Sequence, residues 1–198
     1  MSEVFFKDRD GQTPLPLELQ SGLKIKTIQT VGELDEHEEA NIAKGLSWLL
    51  RQKSDPKNYE FWIKLHKKLF QEVWSWAGQI RRHELQNPDF LLPHEIWPRI
   101  YQLEQDVKTW ISMNSFGSQE IAARFHVEIE TIHPFANGNG RFGRILTNQI
   151  CKYHSFKVPT WGHTFASNPK LRRDKYIDAI TIARRNRDFS DMEAIMFA

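Results

Sequence analysis

Cysteine is nearly absent from this chain, with Cys151 alone among 198 residues, so no internal disulfide can form and an oxidised mini-scaffold is excluded. No apolar run approaches the length that spans a bilayer, which excludes a membrane-spanning helix, and no membrane partner is expected. The opening Met1-Ser-Glu-Val-Phe-Phe-Lys-Asp-Arg-Asp10 lacks the basic start and apolar stretch of a secretory signal, and the expectation is a cytoplasmic protein. Repeats and low-complexity tracts are missing too, while 40% hydrophobic residues and seven tryptophans exclude disorder. The length suits one domain. The most informative absence is of acid. From Thr131 to Arg173 there is no Asp or Glu, although Arg141, Arg144, Lys152, Lys157, Lys170, Arg172 and Arg173 fall there, in a chain whose net charge is only +2. A cationic block of this kind points to an anionic ligand.

Hydrophobic spacing predicts helices throughout. Residues 1 to 26, with Pro14 and Pro16 and no sustained period, read as an extended arm, and the division is an arm over 1–31 and one domain over 32–198. Thr30 and Glu33 form a capping box, followed by Leu34, Ala40, Ala43, Leu46 and Leu50 at helical spacing, which predicts a helix over about 32–52. Phe61, Leu65, Leu69 and Val73 mark a second helix that Gly78 ends. Residues 79–93 hold Pro88 and Pro93 and end in an apolar Phe90-Leu-Leu92, a segment that reads as a flap. Ile96, Ile100, Leu103, Val107 and Trp110 predict a third helix. A fourth is capped by Ser118 and runs through Ile132, a fifth covers Arg141 to about His154, and a last covers 169–186. The fold class is all-α.

The chemistry concentrates in His133-Pro-Phe-Ala-Asn-Gly-Asn-Gly-Arg-Phe-Gly-Arg144. Gly138 and Gly140 allow a tight turn with converging N–H groups, and the helix start that follows adds its unpaired N–H groups to an anion cradle. Arg141 and Arg144, three apart on one helical face, oppose the helix dipole unless an anion sits there. His133 can accept a proton from an alcohol near neutral pH. Together these residues suit nucleotidyl or phosphoryl transfer.

The same residues resemble the Fic signature, His-Pro-Phe-x-Asp/Glu-Gly-Asn-Gly-Arg-x-x-Arg, and match every specified position except Asn137. The stretch from Leu65 to Arg81 is similar to the family's helix and the Trp-Ala-Gly turn leading to its flap, and Glu33–Ile42, Asn137 and Thr160-Trp-Gly162 resemble the bacterial branch called mobile mystery protein B. The resemblance implies a Fic-type helical bundle with a small β-hairpin flap. The implied activity is protein adenylyltransfer: His133 as general base, ATP as substrate, Mg²⁺ as cofactor, and a target protein presenting a Ser, Thr or Tyr hydroxyl. It places Gly138, Asn139 and Gly140 at the phosphates, Arg141 at the outer phosphates, and Arg144 at the γ-phosphate or at an inhibitory Glu. It places Arg81, Phe90 and Leu91 in the flap that aligns the target. Glu38 or Glu39 is the candidate inhibitory acid against Arg144, and a partner of helix-turn-helix type is implied by the branch. Asn137 stands at the family's metal-binding carboxylate, where a neutral carbonyl oxygen is a weak Mg²⁺ ligand. The alternatives that follow are another nucleotide or transferred group, or a nucleotide- or protein-binding module without turnover.

Other readings fail on context. Gly138-x-Gly140-x-x-Gly143 satisfies the dinucleotide fingerprint, but a helix precedes it and no acid follows until Asp174. His126 with His133, and Cys151 with His154, lack a third ligand for a structural zinc site. A nucleic-acid partner is disfavoured because no helix-turn-helix or zinc pattern accompanies the basic block.

Overall fold

The computed structural model describes residues 21–165 and 167–198, so the first twenty residues of the expected arm lie outside it. Seven α-helices are described: α1 Val31–Leu49, α2 Tyr59–Phe70, α3 Pro93–Ser112, α4 Ser118–Ile132, α5 Asn139–Tyr153, α6 Pro169–Asn186 and α7 Ser190–Phe197. The capping box at α1 forms as the sequence predicts. The Glu33 amide donates to Thr30 Oγ1 at 3.2 Å, and Glu33 Oε2 accepts from the Thr30 amide at 3.1 Å. No described helix is long and apolar enough to cross a membrane.

The α1–α2 and α3–α4 pairs pack through Leu34, Ile42, Leu65, Leu69, Ile100, Leu103 and Phe125, all buried in one core. A second cluster, including Ala123, Val127, Cys151, Trp161, Ala183 and Met192, seats α6 and α7 against α4 and α5. Leu23 and Ile28, placed in the arm on sequence grounds, are buried in the first core. Helix α4 is the hub, with ten of its fifteen residues buried, and its C-terminal end opens directly into the signature loop.

Two expectations are corrected. The β-hairpin flap is absent: no strand occurs among the described residues, and 79–92 runs as turns and irregular chain. The physical reason is visible in its hydrogen bonds. Its backbone donors at Arg81 and Leu91 go to Pro134 O (2.9 Å) and Thr131 O (3.2 Å) at the end of α4 rather than across to each other. Asn87 turns the tip, accepting from the Asp89 amide at 2.9 Å, and Pro88 has no amide to offer a ladder. The second helix also stops at Phe70, well before Gly78, and short turns fill the gap.

Candidate functional site

A cleft of about 930 Å³ lies between the signature loop, α1 and α6, lined by Glu38, Glu130, His133, Gly138, Arg141, Arg144 and Arg184 among others. Its floor is the start of α5. Gly138 caps that helix with φ 78°, and a Cβ there would stand 2.6 Å from the Phe70 ring, so glycine is needed both for the turn and for the contact. The first helical bond runs from Phe142 N to Gly138 O at 2.9 Å, leaving the amides of Asn139, Gly140 and Arg141 as the orphan donors of a helix N-terminus. The helix begins two residues before the predicted Arg141, which strengthens the cradle.

Asn139 contributes its backbone to that cradle, not its side chain. Its amide group is buried and doubly bonded to Phe135, accepting from the Phe135 amide at 2.9 Å and donating to the Phe135 carbonyl at 2.8 Å. The loop is thereby closed from within. His66, buried on α2, holds it from below. Its Nδ1 accepts from the Gly78 amide at 3.0 Å, so Nε2 carries the proton and donates to the Asn137 carbonyl at 3.1 Å, while the ring stacks 3.6 Å from Phe135. Burial pushes the His66 pKa down to about 3.

His133 terminates α4 in the left-handed conformation, φ 46° and ψ 60°. Its Nδ1 lies 3.2 Å from the Glu130 carbonyl, an acceptor, so Nδ1 bears the proton and Nε2 is left as the base. Burial, aided by the Arg81 and Arg184 cations, lowers its pKa to about 4. The Phe90 ring stacks on the imidazole at 3.7 Å and 15°. Arg81 is buried, and its guanidinium donates to the carbonyls of His133 (2.7 Å), His83 (2.9 Å) and Leu91. It therefore ties the flap to the end of α4. Leu91 is half-buried beside it.

The two signature arginines part company. Arg141 forms an ion pair with buried Glu38 of α1, whose other oxygen accepts from Trp74 Nε1 at 2.6 Å. The acid singled out in the sequence thus meets Arg141, where the resemblance led to Arg144. Glu39 is half-buried. Arg144 lines the cleft near Glu130, as does Tyr176, whose hydroxyl lies 2.8 Å from His126 Nε2. Burial raises the Tyr176 pKa.

Two residues that the sequence reading passed over, Glu130 and Arg184, complete the site. Glu130, one turn before His133, is buried among the two cations Arg144 and Arg184, yet burial still raises its pKa to about 7. Arg184 of α6 donates to Thr131 Oγ1 and to the Glu130 carbonyl, both at 2.9 Å, and approaches Asp89 of the flap at 3.7 Å. The i, i+3 spacing of Glu130 and His133 was a usable signal. Arg184 carried none, since basic residues in a last helical turn are ordinary.

The donor set does not fit a resident Mg²⁺. Asn137 Oδ1 accepts from its own loop, the Gly138 amide at 2.7 Å, and no group of three or more His, Cys, Asp or Glu that could hold a metal occurs among the described residues.

Residues 56–151 match the model of the Fic/DOC family. Among curated proteins, the chain is 29% identical over 100 residues to "Protein adenylyltransferase VbhT" of Bartonella schoenbuchensis, covering 48% of this chain and 21% of that protein. It is 27% identical over 122 residues to "Probable protein adenylyltransferase y4lH" of Sinorhizobium fredii, covering 59% of each. The chain therefore spans less than two thirds of either relative. Among solved structures, the Bartonella tribocorum effector BepC with bound AMPPNP superposes with a TM-score of 0.68 at 18% identity, over 98% of this chain and 94% of that one. This likeness shows the fold.

Proposed function

We propose, from the match of residues 56–151 to the Fic/DOC family model, that the chain is a protein adenylyltransferase that moves AMP from ATP to a Ser, Thr or Tyr hydroxyl of a target protein. The supporting observation is the juxtaposition in one cleft of a histidine whose Nε2 is left as a base and a helix N-terminus flanked by Arg141 and Arg144. His133 Nε2 takes the hydroxyl proton. The oxygen attacks the α-phosphorus of ATP, the bond to the β-phosphate oxygen breaks, and pyrophosphate leaves. The amides of Asn139, Gly140 and Arg141 hold the phosphate chain, and the two arginines balance its charge. The flap, clamped by Arg81 and Leu91, lays the target segment beside His133, with Phe90 fixing the ring. Any Mg²⁺ enters as the nucleotide's own counter-ion.

The adenylyltransferases VbhT and y4lH support the transferred group, and the AMPPNP in BepC supports the ligand class. The finer resemblance to the mobile mystery protein B branch, with its helix-turn-helix partner, belongs to this proposal. Its residues Glu38, Asn137 and Trp161 all line the cleft. A second reading, nucleotide binding without turnover, is favoured by one observation: the Asn137 carbonyl is engaged within its own loop.

Purified protein, a cell lysate and ATP labelled at the α-phosphate separate the two. Label on protein, lost in His133→Ala by at least about a hundredfold, is the expected result. ATP binding with no label transferred by the wild type would establish the second reading, and label retained by His133→Ala would remove the base. ATP labelled at the γ-phosphate gives no signal unless a phosphoryl group is the one transferred.

A further inference from the structure

The geometry points to Glu130 as a positioning residue for the base: its carboxylate supplies the counter-charge to the imidazolium that forms on His133 during transfer. The inference rests on the adenylyltransfer reading above.

Its grounds are steric and electrostatic. Glu130 Oε2 stands 4.0 Å from His133 Nδ1, on the side of the ring remote from the proton-accepting Nε2. The second oxygen, Oε1, is buried with no hydrogen-bond partner among the described residues, an expensive arrangement for a group that only fills space. Room for it is left across the helix pair: a Cβ at Gly143 would lie 2.3 Å from Oε1, so a side chain there would push the carboxyl aside. Every element packed around the carboxyl brings a charged or titratable group. Arg144 comes from α5, Arg184 and Tyr176 from α6, and His133 from its own helix, while Arg81 and Asp89 of the flap reach this region through His133 and Arg184.

The need for an anion follows from the surroundings of His133. Burial and two nearby guanidinium groups disfavour its protonated form, so uptake of the hydroxyl proton is opposed by the site itself. An ionised Glu130 offsets that opposition, and no proton need pass to it. Because its pKa sits near about 7, the counter-charge is largely absent in mild acid and present in mild base. The tautomer does not depend on it, since the backbone carbonyl of Glu130 already fixes Nδ1–H.

The test compares wild type with the isosteric Glu130→Gln. Wild-type kcat should rise with pH through about 7, whereas Glu130→Gln should lose that limb and turn over about tenfold or more slowly above it, with KM for ATP unchanged. Independently of turnover, the NMR signals of the His133 ring in wild type should shift with pH through about 7 as the carboxyl beside them ionises, and Glu130→Gln should lose that step. Gly143→Ala, which displaces the carboxylate while keeping its charge, should lower kcat as well, and it carries the test if Glu130→Gln does not fold. A wild-type His133 ring signal without that step, or a loss confined to KM for ATP, overturns the inference, the latter by showing that Glu130 acts on Arg144. A wild type that transfers no label refutes the reading beneath, while the NMR titration still decides the role of Glu130.

Discussion

Replacing His66 by Phe should cost stability at neutral pH and cost progressively less on acidification. Phenylalanine keeps the stack on Phe135 but removes the acceptor for the Gly78 amide and the donor to the Asn137 carbonyl. Two buried polar groups without partners, at about 1–3 kcal/mol each, give a loss of about 2–6 kcal/mol at about pH 7.5. The pH dependence follows from the depressed pKa. Unfolded, His66 titrates near 6.5; folded, burial holds it down at about 3. Below 6.5 the unfolded chain binds a proton that the folded protein refuses, so this histidine's contribution is full above 6.5 and is lost as pH falls toward 3. The phenylalanine variant lacks that proton, so its stability gap to wild type should shrink by about 1.4 kcal/mol per pH unit, or about 2.7 kcal/mol by about pH 4.5. Urea unfolding of both proteins across this range reads the gap directly, and all other titrating groups cancel in the difference. A gap that stays constant or widens in acid would mean that His66 is charged in the folded protein, and the argument for its tautomer would fail.

Two further outcomes are expected. Glu38→Gln removes the charge that competes for Arg141, so ATP should bind several-fold more tightly by calorimetry while the fold loses about 1–3 kcal/mol from the weakened bond to Trp74; an unchanged affinity would show that Arg141 does not meet the phosphates. Asn137→Asp should raise label transfer at low Mg²⁺ by about tenfold or more, since a carboxylate is the better ligand for a hard dication, and an identical Mg²⁺ dependence would place residue 137 away from the metal.

What could be read from the sequence was whatever depends on neighbours along the chain. The α1 capping box needs only Thr30 and Glu33, and the α6 bounds need only Asn168, Pro169 and the periodicity that follows. Helix α7 went unread although Phe189, Met192, Ile195 and Met196, all buried, carry its spacing. At eight residues it is too short to stand out from a polar tail. The flap was misjudged because a hairpin depends on which partner its amides find, and at Arg81 and Leu91 the end of α4 competes successfully. Within the cleft, the signature loop was legible as a unit. The contributions of α1 and α6 were not, since Glu38 meets Arg141 across 103 positions and Arg184 meets Glu130 across 54.

The aromatic plate laid over His133 by Phe90 has a consequence for the shape of any acceptor. The Nε2 lone pair lies in the ring plane, so a hydroxyl in the proposed reaction would come in edgewise, alongside the phenyl group that covers one face. A side chain at the tip of an extended loop can make that approach; one embedded in a flat folded surface cannot. If the chain modifies proteins as proposed, protruding, pliable segments are the acceptors this doorway would admit.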